Sequence, residues 1–282
     1  MKLIECPRDA MQGIHDFIPT NLKAKYINML LQVGFDTIDF GSFVSPKAIP
    51  QLRDTKEVLA QLDMSKTSSK LLAITANLRG AEEAVLFPEI TDIGFPFSIS
   101  ETFQQRNTNS SIQESLATVE KMLELCDQHG KTAVIYLSMG FGNPYGDAYS
   151  ADIVAHWASV LVERGTTILS LSDTVGLSTP AQIEALLPLL MNSFPETEIG
   201  LHLHSTPGTR RDKIAAAYKV GCKRFDSALK GFGGCPMAMD ILTGNMATEE
   251  LMLYLEEHGE VLNLDKTQWQ QAMLLANTVF SS

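Results

Sequence analysis

His202 and His204 stand two residues apart inside the apolar run "EIGLHLHST", residues 198–206. On a β-strand that spacing turns both imidazoles to one face, where two nitrogen donors can hold a metal ion or exchange protons. Other residues able to do chemistry fall at matching positions in or just past apolar runs. "KLIEC" runs into Arg8-Asp9, "FDTIDF" carries Asp39 and leads to Ser42, "KLLAIT" leads to Thr75 and Asn77, and "TILSLS" ends at Asp173. Late in the chain, "KGFGGCP" presents Cys235 behind glycines and "TGN" presents Asn245. Asp, His, His and Asn form a mixed nitrogen and oxygen donor set suited to a divalent ion. Cys6, Cys126, Cys222 and Cys235 are dispersed and form no C-x-x-C pair. That favours Mg²⁺ or Mn²⁺ over structural zinc and argues against disulfides.

Each of these residues also has a plain structural reading. Asp9 suits a helix cap, Asp173 and Asn245 suit turns, and Arg8 suits an ion pair. Cys235 reads equally as a small buried hydrophobe, and an H-x-H pair as two polar residues meeting solvent. His15, His129, His156 and His258 lack a comparable context and read as structural or surface residues. The chemical reading gains weight only if one architecture gathers the set at one end.

The elements point to such an architecture. Strand-like runs lie at 2–6, 35–40, 70–75, 91–99, 132–138, 167–172, 199–204 and 224–229, with helical patterns between them. Ile112, Leu116, Val119, Leu123 and Cys126 mark one apolar helix face, as do Leu22, Tyr26, Leu30 and Val33, and later Ile153, Trp157 and Leu161. Gly34, Gly130, Gly165 and Gly221 each fall where a left-handed residue would end a helix. Thr179-Pro180 reads as an N-cap with proline at the first helical position. Eight strands alternating with helices predict an α/β fold, the (β/α)8 TIM barrel. A doubly wound open sheet is the alternative, but no G-x-G-x-x-G follows the first strand. Two further helical patterns, 247–257 and 264–280, predict a short C-terminal helical extension, with Trp269, Met273, Ala276 and Phe280 on the packed face. One domain is expected over 1–282, with the barrel at about 1–235 and the loop and helices at about 236–282. Barrel strands alternate inward and outward. Leu201 and Leu203 would face the helices, leaving His202 and His204 inside, at the C-terminal end where barrel enzymes keep their chemistry.

Composition bounds the partners. The chain has 282 residues, a net charge of −11, 45% hydrophobic and 20% charged residues, an ordinary globular profile. No apolar run approaches the roughly 20 residues a membrane span needs. The amino terminus goes directly into a strand-like run without a signal-peptide pattern, so a cytoplasmic location is expected. The acidic balance argues against nucleic acid and leaves a small anionic ligand open.

Taken together, "ECPRDAMQ", "GSFVSPKAIPQLRDTKEVL", "SLSDTVG", "HLH" and "GFGGCPMA…TGNMATEEL" resemble the motifs of the 3-hydroxy-3-methylglutaryl-CoA lyase family, in order from about residue 2 to 255. The resemblance implies a divalent metal, Mg²⁺ or Mn²⁺, bound by Asp9, His202, His204 and Asn245. It implies retro-Claisen cleavage of (S)-3-hydroxy-3-methylglutaryl-CoA to acetyl-CoA and acetoacetate. Arg8 would face the thioester and stabilise the enolate, and His202 or Asp173 would serve as general base. Cys235, or a water held by its loop, would return a proton. Asp39, Ser42, Lys47 and Asn77 would surround the acyl-CoA substrate, and a homo-oligomer, dimer or tetramer, is expected. The pattern departs from the family at Ala10 (usually Gly), Gly13 and His15 (usually Asn and Lys), Asp39 (usually Glu), Asn143 (usually Cys) and Ser205 (usually Asp). These changes leave room for another branched 3-hydroxyacyl-CoA or for aldol-type cleavage of a free acid. The remaining alternatives are a related metal-dependent aldolase or Claisen synthase, and a non-catalytic barrel that binds a CoA thioester or a protein.

Overall fold

The computed structural model describes residues 1–234 and 243–280. Eight parallel strands close into a barrel in chain order, each paired with its sequence neighbours and the eighth with the first. They are β1 (Lys2–Glu5), β2 (Thr37–Ser42), β3 (Lys70–Ile74), β4 (Ile90–Ser98), β5 (Thr132–Ser138), β6 (Ile168–Asp173), β7 (Glu198–Leu203) and β8 (Arg224–Ser227). The expected barrel is the observed one, with strand ends displaced by at most two residues.

The helices follow the apolar periodicity. They are α1 (Pro7–Gln12), α2 (Thr20–Val33), α3 (Thr55–Leu59), α4 (Leu78–Ala84), α5 (Glu101–Thr108), α6 (Ile112–Gln128), α7 (Ala151–Glu163), α8 (Pro180–Ser193), α9 (Arg210–Lys219), α10 (Thr248–Glu257) and α11 (Lys266–Val279). Thr179 caps α8 with a full capping box to Gln182, and Gly34 ends α2 at φ +91°. Helix α1 was not anticipated. Arg8 and Asp9, read as directly following the first strand, lie in the first turn of α1, where Pro7 sets the helical φ at little cost. Helix α10 packs beside α9, so it completes the outer ring, and among the described residues only α11 lies beyond the repeat. That last helix lies against α2, with Trp269 edge-on to Phe35 at 6.1 Å and Phe280 edge-on to Tyr26 at 5.7 Å.

The core has two parts. The larger lies between strands and helices and includes Leu201 and Leu203. A smaller one, Leu72, Ile74, Val134, Tyr136 and Ile168, fills the lumen. Glycines decide what crosses the lumen. A Cβ on Gly94 would sit 3.1 Å from Tyr136 Cε2, and one on Gly200 would sit 2.8 Å from Arg224 Cδ. The second is nearer than side chains tolerate and the first is tighter than most real contacts, so the two glycines leave room for the Tyr136 ring and the Arg224 stem.

Glu5, at the end of β1, ties the two ends of the chain. Its Oε1 accepts from Leu229 N at 2.8 Å, and its Oε2 lies 2.6 Å from the Thr248 hydroxyl. Burial pushes Glu5 up to about 8, against the pull of Thr248 and the Leu229 amide. The carboxyl therefore stays protonated at neutral pH in the folded chain, whereas in the unfolded chain it ionises near its ordinary value. Folding takes up a proton in this interval, so stability falls as pH rises from about 5 to 8. Glu5→Gln keeps neutral partners for both bonds, and its melting temperature is expected to fall less steeply across that window. Each kcal/mol corresponds to roughly 2–4 °C in a domain of this size. Thermal denaturation of both proteins at pH 5 and pH 8 checks this, and parallel slopes would refute the assignment to Glu5.

Candidate active site

Strand alternation turns His202 and His204 into the lumen at the C-terminal end, and both are buried. Their Nε2 atoms lie 3.3 Å apart. A distant segment completes this corner. Met246 N bonds Leu203 O and Ser205 N bonds Gly244 O, so residues 244–246 run beside the end of β7 and bring Asn245 opposite His204. Asp9 arrives from α1. Ligand atoms of Asp9, His202 and His204 all lie within 4.8 Å of one another.

Arg8 and Asp9 are fixed by a buried ion-pair network. Asp39 accepts from Arg8 Nε at 3.0 and 3.1 Å and from Nη2 at 2.6 Å. Arg8 Nη1 donates to Asp9 Oδ1 at 2.9 Å and to Gln12 Oε1 at 2.9 Å, and Gln12 Nε2 donates back to Asp9 Oδ1 at 2.7 Å. Asp9 Oδ2 accepts from Asn245 Nδ2 at 2.7 Å, and the same nitrogen donates to Phe232 O at 2.9 Å. With its nitrogen so committed, the Asn245 carbonyl oxygen is the atom left for a cation. The loop packs closely here, since a Cβ on Gly233 would lie 2.6 Å from Asp9 O and 2.8 Å from Asn245 Nδ2.

The electrostatics suit a cation. Burial alone would raise Asp9, but Arg8, then the two histidines and Asn245, hold it down to about 2. Burial, with His202 alongside, brings His204 down to about 4, leaving the neutral imidazole a metal ligand must be. Its buried Nδ1 has no hydrogen-bond partner among the described residues. Burial works against protonated His202, but Asp226, bonded to Nδ1 at 3.1 Å, and then Asp9 raise it above the ordinary histidine value. Two carboxylates around a histidine pair thus favour positive charge, which a divalent ion would supply while displacing a proton. The donor set of carboxylate, two imidazoles and carboxamide fits such an ion.

The other anticipated residues divide. Ser42 lines the pocket with a buried hydroxyl that has no partner among the described residues. Asn77 also lines it, while its side chain caps α4 through Gly80 N at 3.0 Å. Asp39, expected around the substrate, lies instead beneath Arg8 as its bidentate partner and does not line the pocket. Lys47 is exposed on a turn, outside the lining formed by its neighbours Ser45 and Ala48. Asp173 is also directed elsewhere. Its oxygens accept from Ser178 N at 3.1 Å, Ser178 Oγ at 2.5 Å and Lys213 Nζ at 2.8 Å, and it is absent from the lining. Cys235 lies outside the described residues.

Among the departures, Asn143 is taken up by its own loop, bonding Tyr145 N, Asp147 N and Asp147 O. Ser205 Oγ bonds Asn245 O at 3.3 Å, and His15 is exposed. Gln12, Lys213, Tyr136 and Asp226 were not anticipated. Asp226 alternates with Phe225 on β8 and was legible as inward-facing by period. Lys213, which also donates to His204 O at 2.8 Å, gives no signal on a helix surface pattern.

The HMGL-like family model matches residues 3–279. A hydroxymethylglutaryl-CoA lyase of Bacillus subtilis is 37% identical over 251 residues, 89% of this chain and 83% of the relative. Mitochondrial hydroxymethylglutaryl-CoA lyase of Mus musculus is 33% identical over 262 residues, 92% of this chain and 79% of its own. An HMG-CoA lyase from Acinetobacter baumannii, solved with coenzyme A and 3-methylmalate, superposes with a TM-score of 0.91 at 31% identity, covering 100% of this chain and 91% of that one.

His204→Ala is expected to weaken Mn²⁺ binding by at least about 100-fold, since even the partners of ligands are worth 10–100-fold. The exposed His15→Ala serves as control. Mn²⁺ titration followed by electron paramagnetic resonance checks this, and unchanged affinity in His204→Ala would remove it from the ligand set.

Proposed function

The chain belongs to the HMGL-like family, and from that premise we propose that it cleaves (S)-3-hydroxy-3-methylglutaryl-CoA to acetyl-CoA and acetoacetate. The observation that carries this reading is a buried guanidinium set beside a cluster able to hold a cation, both lining one pocket. The similarity to lyases, one of them solved with coenzyme A, supports an acyl-CoA as substrate.

Asp9, His202, His204 and Asn245 are the residues that would hold Mg²⁺ or Mn²⁺. A divalent ion there supplies Lewis acidity, lowering the pKa of the substrate's tertiary hydroxyl. The remaining work falls to the side chains. Arg8 lines the pocket and is held in its charged form by Asp39 and then Asp9, against the effect of burial. It is a fixed cation at the place where the thioester oxygen gains negative charge as the carbon–carbon bond breaks. The hydroxyl proton needs an acceptor within reach. His202 lines the pocket whereas Asp173, locked by Lys213 and Ser178, does not, so His202 is the base. Asp226 occupies Nδ1, which leaves Nε2 as the accepting atom. The same nitrogen would be the ligand atom of His202 toward an ion, and it cannot fill both roles at once. The enolate then takes a proton, for which Cys235 is the proposed donor.

Incubating the Mn²⁺-loaded protein with 3-hydroxy-3-methylglutaryl-CoA is expected to yield acetyl-CoA and acetoacetate in equal amounts. Binding without turnover would refute the reading. Arg8→Gln is expected to lower kcat by about 10²–10³ and also to destabilise the fold by about 3–5 kcal/mol, because Asp39 is left buried and uncompensated. Adding Asp39→Asn should restore stability but not kcat. Recovery of both would return Arg8 to a structural role. Alkylation at Cys235 should abolish cleavage and be slowed by substrate, the other three cysteines being buried. We also propose a homo-oligomer, which light scattering after size exclusion tests. Among the described residues no helix is long and apolar enough to cross a membrane, and a cytoplasmic location remains part of the proposal.

A further inference from the structure

The irregular stretch after β8 carries Phe232, and what fixes Phe232 comes from the far end of the chain. Its ring stacks on Phe280 at 4.5 Å between centroids, with 22° between planes. Phe280 meets Tyr26 edge-on at 5.7 Å, and Tyr26 is 1% exposed in the core beneath α2. Two residues earlier, Lys230 stands at φ +60°. Its amide donates to Glu249 Oε2 at 2.9 Å and its ammonium group to Asn277 Oδ1. The last helix therefore grips this stretch twice, through Asn277 and Phe280.

The grip reaches the candidate metal site in one step. Asn245 Nδ2 has two acceptors, Asp9 Oδ2 at 2.7 Å and Phe232 O at 2.9 Å. The first comes from a carboxylate already held by Arg8 and Gln12. The second depends on a backbone carbonyl in a segment without regular structure, whose own amide makes a long bond to Leu229 O at 3.3 Å. If the Phe232 ring loses its stacking partner, its carbonyl is free to move. The Asn245 carboxamide then keeps one of its two bonds and can rotate about it, which would change where its carbonyl oxygen points.

We infer that Phe280 is a positioning residue for Asn245, acting through Phe232, so that the C-terminal helix α11 orients a ligand of the metal site. The inference rests on the reading of Asp9, His202, His204 and Asn245 as a divalent-ion site. It gives α11 a role that a helix packed only for stability would not have.

The test uses the full chain and Mn²⁺. Phe280→Ala is expected to raise the Mn²⁺ dissociation constant about tenfold, the lower end of what partners of ligands contribute. It should also reduce kcat for cleavage of 3-hydroxy-3-methylglutaryl-CoA while KM stays near that of the unmodified protein. Phe232→Ala should do the same, and the double variant should be no worse than either single one, because both remove one contact. Phe280→Tyr, which keeps the stack, should restore Mn²⁺ affinity. A Phe280→Ala protein that melts earlier yet binds Mn²⁺ as tightly as the unmodified chain would overturn the inference. Additive effects of the two single variants on Mn²⁺ affinity would overturn it as well. Mn²⁺ binding without cleavage by the unmodified protein would defeat only the lyase reading, since the affinity comparison still stands. Failure of the unmodified protein to bind Mn²⁺ would overturn both.

Discussion

The guanidinium of Arg8, enclosed between Asp39 and Asp9, is the interaction from which the rest of the site follows. A buried cation without partners would cost several kcal/mol, so the chain must supply carboxylates from two directions. Asp39 comes from a strand and grips two nitrogens, while Asp9 and Gln12 come from the same turn as Arg8 and take the third. The turn is thereby fixed against β2, which aims the second oxygen of Asp9 at Asn245. One ion pair sets both the position of the cation that would meet the enolate and the carboxylate that would meet a metal.

The corner is closed by segments far apart in the chain. Residues 244–246 extend the edge of β7, Glu5 holds Leu229 N and lies beside Thr248, and Phe280 backs Phe232. None of these contacts joins sequence neighbours. They turn an irregular stretch, costly to order because it lacks repeating backbone bonds, into a wall with defined carbonyl positions. Gly233 shows how near that wall stands to Asp9, since any side chain there would collide with it.

Burial sorts the lumen's carboxylates by the company each keeps. Glu5 and Asp92 are pushed up by desolvation, whereas Asp9, facing Arg8 and two imidazoles, is held down. Asp9 thus keeps its negative charge where the histidines converge. His204 is kept neutral and His202 is biased toward its charged form. In the proposed reaction the same pocket would offer ligands to an ion and, through His202, an acceptor to a proton.

The sequence alone determined what depends on periodicity and on local backbone chemistry. Alternation along "EIGLHLHST" placed both histidines on one face, and Gly34 and Thr179-Pro180 marked helix ends, because such preferences are settled within a few residues. It also brought Arg8, Asp9, Ser42 and Asn77 to one end of one barrel, since each follows or closes a strand. Only the tertiary structure decided which partner each group faces. Asp39 and Asp173 read alike, both inward acids on strands, yet one supports Arg8 and the other is locked by Lys213. Gln12, Lys213 and Phe280 carry no pattern that separates them from ordinary surface or core positions. Their roles come from contacts between segments brought together by barrel closure, which fixes distances and directions that the spacing of residues along the chain does not contain.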